Sequence, residues 1–279
     1  KGSNMLAEKI GVIGLGNAGS AVAGALAQKT TVIGFDPSPE RCTHAKSLGV
    51  ECVHSPEELT DRTGKIILSL PKPEISLSVT KSLSESSATP KIIIETSTIT
   101  PQTAVTCNDI CEQKGIAYVD AAIAGGVASM AAGKITFFLG GADSNKKIAR
   151  TILNLIAEGI YDLGPVGAGM GTKVVNNGVM HALMVVLIEA FSMSNKLGVS
   201  SQTMIEILNR EEGLLRPLIH RVQERMQEGD YAGGMSVTNA RKDSVLALET
   251  AQELGVPLFA TLAAHTPYEI AEAKDLGDL

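Results

Sequence analysis

The feature that most constrains this chain is the junction spanning residues 9–19. Lys9-Ile10-Gly11-Val12-Ile13 is a short apolar run of strand character. It ends in Gly14-Leu15-Gly16-Asn17-Ala18-Gly19, and the small-residue stretch Asn17 to Lys29 then reads as a helix. A G-x-G-x-x-G that closes a strand and opens a helix is the setting in which backbone can cradle phosphates. Gly14 permits the tight turn, Gly16 lets the backbone approach a pyrophosphate, and Gly19 lets the helix pack on the strand. The free N–H groups and dipole of the helix N-terminus supply the positive end. Residues 14 to 19 therefore predict a dinucleotide cradle, and with it a sheet whose faces are covered by helices.

The rest of the first half fits. Strands are expected at Thr31–Phe35, Lys65–Leu70, Lys91–Glu95 and Ala117–Asp120, with helices at Pro39–Leu48 and Pro101–Lys114. Continuous apolar strands separated by helices imply a parallel, doubly wound sheet. Ile135–Leu139 and Gly159–Leu163 would extend its far edge. After Gly164-Pro165 the pattern changes to helices alone: a long run from Gly171 to Leu197, then Ser201–Asn209, Leu214–Glu228, Ser236–Glu253 and Leu258–Ala273. The fold class expected is α/β, an N-terminal Rossmann domain over residues 5–164 followed by an all-α domain over 165–279. Lys1-Gly2-Ser3-Asn4, ahead of Met5, reads as a leftover of expression and is excluded from the fold.

Composition narrows the function classes. The net charge is −6 and aromatic residues are 3 % with no Trp, which argues against nucleic-acid partners and base-stacking platforms. Hydrophobic residues at 44 % suffice for a core. The longest strongly apolar stretch, Val179 to Phe191, is shorter than a membrane span and contains His181 and Glu189. No membrane partner is expected. Cys42, Cys52, Cys107 and Cys111 read as reduced thiols of a cytoplasmic protein. Cys107 and Cys111 lack the His or second Cys pair that a zinc site needs, so no metal is expected.

Asp36 ends the second strand, where a carboxylate accepts hydrogen bonds from the adenosine ribose and repels a 2′-phosphate. Pro37 follows it, not arginine, which favours NAD over NADP; Arg41, one helical turn on, is the residue that could instead reach a phosphate. An Asx turn ahead of Pro37 is the structural alternative for Asp36. Leu70, Pro71 and Thr98 lie at later strand ends, where a cofactor passes over the sheet; Thr98 could alternatively cap the helix beginning near Pro101.

Lys173 and Asn177 are i and i+4 on the long helix and share one face. A lysine whose pKa is lowered by burial can exchange a proton with a substrate hydroxyl, and an asparagine can hold the same oxygen or the lysine itself. Gly125 and Gly126, just past Asp120, can turn bare N–H groups toward a substrate carboxylate.

Gly14 to Gly19, Asp120-Ala121-Ala122-Ile123-Ala124-Gly125-Gly126, the segment Gly169 to Asn177, and the late pair Lys242-Asp243 together resemble the β-hydroxyacid dehydrogenase family, over essentially the whole chain. The resemblance implies hydride transfer between a nicotinamide cofactor and a small β-hydroxyacid. It implies Lys173 as catalytic acid/base with Asn177 as its substrate-binding companion, and a cofactor contact by Thr98 of the Ser97-Thr98 pair and by Lys242. It also points to a homodimer or homotetramer, as do the apolar segments Met180–Met193 and Val245–Leu262 in a small helical domain. Two family positions differ here: Ala122 stands for the usual proline, and Ala124 for the usual serine that donates a hydroxyl to substrate. An imine reductase-like enzyme, or a catalytically weak nucleotide-binding or interaction protein, are the competing expectations; the retained Lys173 and Asn177 speak against the first, and Lys173 against the second.

Overall fold

The computed structural model describes residues 9–231 and 234–279. Residues 5–8 of the expected first domain lie outside them. Among the described residues eight strands form one sheet: β1 (Ile10–Ile13), β2 (Val32–Phe35), β3 (Glu51–Cys52), β4 (Lys65–Leu68), β5 (Ile92–Glu95), β6 (Ala117–Ala124), β7 (Ile135–Gly141) and β8 (Ala157–Asp162), in the order β3-β2-β1-β4-β5-β6-β7-β8. From β3 to β6 every pairing is parallel. The order reverses between β1 and β4, the switch point at which doubly wound sheets bind ligands.

β7 departs from the expected parallel arrangement. It pairs antiparallel with β6, and β8 then runs parallel to β7. The reversal follows from the short link between them, which holds only the five-residue helix Val127–Ala131 and a turn at Gly133. β6 also runs past Asp120 to Ala124, since no proline at 122 interrupts the ladder. β3 has only two residues, too few to leave a strand pattern in the sequence.

Helices α1 (Asn17–Ala27), α2 (Pro39–Ser47), α3 (Pro56–Arg62), α4 (Pro73–Glu85), α5 (Pro101–Glu112), α6 (Val127–Ala131) and α7 (Asp143–Leu153) cover the sheet. α2 to α5 each carry proline at the first turn, where the missing N–H is harmless. The two faces bury separate cores. One gathers Val12, Val22, Leu26, Ile67, Ile94, Val119 and Leu139; the other Ile33, Leu59, Ile66, Leu68, Ile93, Tyr118 and Cys107.

Two compact units divide between Asn177 and Gly178. The dividing point lies inside α8 (Ala168–Lys196). The second unit continues with α9 (Ser201–Leu208), a π-helical turn at Pro217–Gln223, a 3-10 turn at Met226–Glu228, α10 (Val237–Leu254) and α11 (Ala260–Glu272). The single helix expected over Leu214–Glu228 is thus broken into two short turns. Glu189 organises this unit. Its Oε1 accepts from the Phe259 and Ala260 N–H groups at 2.6 and 2.8 Å, and its Oε2 from Thr261 N and Oγ1 at 3.1 and 2.7 Å. These are first-turn N–H groups of α11, otherwise without partners. By length and composition α8 is long and apolar enough to cross a membrane, which corrects the estimate drawn from Val179–Phe191 alone.

Candidate active site

The cradle is built as its glycines require. Gly14 adopts φ +94°, and a Cβ there would collide with the Ser69 carbonyl of the neighbouring strand end. At Gly16 a Cβ would meet nothing nearer than Arg41 Nη1 at 4.0 Å. The approach is open, and Gly16 caps α1 with no side chain bonded to the first-turn N–H groups. An open, uncapped helix N-terminus fits the pyrophosphate of a dinucleotide. A cavity of about 620 Å³ adjoins it, lined by Leu15, Gly16, Asn17, Ser20, Asp36, Pro37, Ser38, Arg41 and His44 among others.

Asp36 is buried, and it serves the loop itself. Its Oδ2 accepts from Leu15 N at 2.8 Å, inside the cradle, and its Oδ1 from Ser38 N at 2.9 Å, an Asx turn. Arg41 Nη1 stands 3.5 Å from Oδ2. The Asx turn does not exclude the ribose role expected of Asp36, because a carboxylate oxygen can accept a second bond.

At the next strand ends, Leu70 N donates to Ser97 Oγ at 2.7 Å, and Ser97 N donates to Glu95 Oε1 at 2.8 Å. Ser97 thus ties the β4 and β5 loops together, and it is held in turn by Glu95, a buried acid that sequence reasoning passed over. Its only signal was a carboxylate at the end of an otherwise apolar strand. Burial pushes the Glu95 carboxyl up to about 7, opposed by bonds from Ser97 and Ser76, and the Asp120 charge adds to the rise. Thr98 is exposed, and the cap of α5 is Thr100, whose Oγ1 accepts from Thr103 N at 3.1 Å. Thr98 is therefore free of the capping role.

Asp120 lies within β6, ahead of the Gly125-Gly126 loop. It is fully buried, and its carboxylate accepts from Gly167 N and Met170 N, both at 2.8 Å. The second and third motifs are thereby joined: the strand leading to Ala124, Gly125 and Gly126 holds the start of the helix that carries Lys173. Gly125 has φ +133°, and a Cβ at Gly126 would meet nothing within 4 Å. That backbone is exposed and unobstructed. Lys173, Asn176 and Asn177 are half-buried on α8, while Val174 and Val175 between them are exposed. Desolvation lowers the Lys173 pKa below the ordinary lysine value. Lys242 is in α10 of the second unit, its Nζ 3.4 Å from Asp243 Oδ1. Among the described residues no three His, Cys, Asp or Glu side chains converge on a metal position.

Comparison with known proteins agrees with this geometry. Residues 9–167 match the NAD binding domain of 6-phosphogluconate dehydrogenase, and residues 167–279 match a domain described as NAD-binding of NADP-dependent 3-hydroxyisobutyrate dehydrogenase. The chain is 31 % identical to 2-(hydroxymethyl)glutarate dehydrogenase of Eubacterium barkeri over 96 % of its length and 91 % of the relative's. Among solved structures it resembles Mycobacterium tuberculosis 3-hydroxyisobutyrate dehydrogenase with L-serine, at TM-score 0.70 and 28 % identity, covering 98 % of this chain and 96 % of that one. An imine reductase from Pseudomonas sp. has TM-score 0.89 at 22 % identity over 98 % and 96 % of the two chains, a likeness of fold alone. With a phosphate cradle at the sheet's switch point and a half-buried lysine on the helix that Asp120 anchors, the chain belongs to the β-hydroxyacid dehydrogenase family of nicotinamide-dependent oxidoreductases.

Proposed function

We propose that this protein interconverts a small carboxylate-bearing β-hydroxyacid and its carbonyl form with NAD, using Lys173 as acid/base. The observation that carries the reading is Lys173 itself: a lysine of lowered pKa, half-buried on a helix anchored to the strand of the Gly125-Gly126 loop. Gly14, Leu15, Gly16, Asn17, Ala18 and Gly19 would hold the pyrophosphate. Asp36 and Pro37 would hold the adenosine ribose, and Leu70, Pro71, Thr98 and Lys242 would flank the cofactor. The bound nicotinamide supplies or accepts the hydride. In oxidation Lys173 Nζ takes the hydroxyl proton, and in reduction it returns one. Asn177 would hold the reacting oxygen, and the N–H groups of Gly125 and Gly126 the carboxylate, with Ala124 leaving space beside it.

Asp36 favours NAD, since its negative charge sits beside the position that a 2′-phosphate would take. The test is a screen of 3-hydroxyisobutyrate, 2-(hydroxymethyl)glutarate, serine and related hydroxyacids, each with NAD and NADP, followed by NADH or NADPH absorbance. Cyclic imines form a separate arm. Turnover of hydroxyacids with NAD supports the reading. Turnover of imines alone overturns it.

A further inference from the structure

We propose that Asp120 is a positioning residue for Lys173: its carboxylate fixes the first turn of α8, and with it the direction in which the lysine is aimed. The inference rests on Lys173 being the proton-transfer group.

First-turn N–H groups of a helix have no partner within the helix. Here the first-turn N–H of Met170 and the N–H of Gly167, the residue just ahead of the helix, are taken by the two oxygens of one carboxylate, each at 2.8 Å. One bond would fix the helix end in position only. Two bonds to a rigid carboxylate also fix its rotation about the axis. The carboxylate is in turn closely enclosed by backbone. A Cβ on Gly140 of β7 would lie 2.6 Å from Oδ1, and one on Gly169 would lie 2.9 Å from Oδ2 and collide with the Phe138 carbonyl. The helix thus rests on β6 and β7 as closely as bare backbone allows. Met170 is itself fully buried, so its side chain gives a third fixed point. Lys173 is three residues further on, about 4.5 Å along the axis at 1.5 Å per residue.

The charge balance supports an acceptor. Burial raises the Asp120 carboxyl, and N–H groups of Gly167, Met170, Gly169 and Asp120 itself pull it back down. It is faced by Glu95 on the neighbouring strand β5 and by Tyr118 on its own strand.

The test compares Asp120→Asn with Lys173→Ala in the full-length enzyme. An asparagine keeps the shape but turns an NH2 toward one of the two N–H groups. With a hydroxyacid substrate, Asp120→Asn should lower kcat by roughly 10- to 100-fold, the cost of a misplacement of about 1 Å. NADH affinity should hold, and the lysine-dependent limb of the pH profile should move to higher pH as Nζ gains solvent. General destabilisation alone would not move that limb. In the wild type, Gly167 and Met170 amides should exchange with deuterium far more slowly than the first-turn amides of α9. The proposal is overturned if Asp120→Asn keeps kcat and pH profile while Lys173→Ala is inactive. It is overturned equally if the wild-type Gly167 and Met170 amides exchange as fast as those of α9. If Lys173→Ala is fully active, the assignment of the lysine fails first, and the positioning role fails with it.

Discussion

Glu95 and Asp120 are register partners on the adjacent parallel strands β5 and β6, and both are fully buried. Each carboxylate faces the start of a different functional segment. Glu95 Oε1 receives Ser97 N of the loop leading to Thr98, and Asp120 receives the N–H groups that begin α8. Two neighbouring carboxylates in an interior resist sharing a negative charge. Asp120 has several N–H donors to stabilise its charge, whereas Glu95 Oε2 has no hydrogen-bond partner among the described residues. The proton therefore goes to Glu95, whose carboxyl is pushed up to about 7.

That shift makes stability depend on pH. A carboxyl raised from 4.5 to about 7 binds its proton more tightly in the folded chain than in the unfolded one. Its destabilising effect grows as pH rises from about 4.5 to 7 and is complete above that, on the order of 3 kcal/mol at 1.36 kcal/mol per unit. Glu95→Gln keeps an acceptor for Ser97 N and cannot ionise. Urea melts should show the variant more stable than wild type at pH 8, with the gain fading by pH 5. An equal difference at both pH values would refute the assignment.

Lys173→Ala should reduce turnover by roughly 10²- to 10⁴-fold, the usual contribution of a positioned proton-transfer group. NADH binding, followed by fluorescence, should be nearly unchanged. In the oxidative direction the lysine must be neutral, so kcat/KM should rise with pH through a value below that of ordinary lysine, in line with its burial. A variant that retains near-normal turnover removes Lys173 from the mechanism.

How much of this could be read from the chain depends on the range of each signal. The cradle was legible because Gly14, Gly16 and Gly19 answer to local sterics and to a strand and helix within a few residues. That Lys173 and Asn177 share a helix was legible from their i, i+4 spacing. The role of Asp120 was not, since its partners lie 47 and 50 residues away. Glu95 was hidden likewise: at a strand end a carboxylate looks solvated, and only the packing of α4, α5 and β6 buries it. The direction of β7 was lost because a parallel crossover and a short reversal give the same apolar strand pattern. Leu214–Glu228 has helical spacing, but Pro217 and the residues after it settle into a π-turn.

The cofactor preference should turn on Asp36. Removing it as Asp36→Ala leaves Leu15 N without its acceptor, at about 1–3 kcal/mol. The same change frees Arg41 from its 3.5 Å contact and removes the charge that opposes a 2′-phosphate. The ratio of NADP(H) to NAD(H) dissociation constants should fall by roughly tenfold, about 1.4 kcal/mol. If the wild type already prefers NADP(H), Arg41 dominates the site, and Arg41→Ala should abolish that preference.

Ala124 ends β6 opposite Thr136 and is partly exposed beside Gly125. Ala124→Ser adds a hydroxyl at that edge with little added volume. One neutral hydrogen bond is worth about 1 kcal/mol, so activity on 3-hydroxyisobutyrate should rise about fivefold. Efficient turnover of 3-hydroxyisobutyrate by the wild type would show that position 124 does not redirect specificity.

Assembly follows from what the second unit leaves uncovered. Met180, Met184 and Ile188 recur every four residues on α8 and form one stripe; they are 48 %, 56 % and 54 % exposed. Leu246 on α10 and Leu262 on α11 are each 53 % exposed. Glu189, on the same helix, is turned inward and spent on the cap of α11, so it does not relieve the apolar face. Apolar surface of this extent on a small helical unit is costly in water and is relieved when a second copy covers it. The expectation is a homodimer or larger assembly, and light scattering should give at least twice the 29.1 kDa of one chain. Met184→Glu places a charge in the middle of the stripe and should lower that mass toward one chain, with the helical circular dichroism of the unit retained. A wild type that stays monomeric at micromolar concentration, with and without NAD, would mean that the stripe is covered from within the same chain.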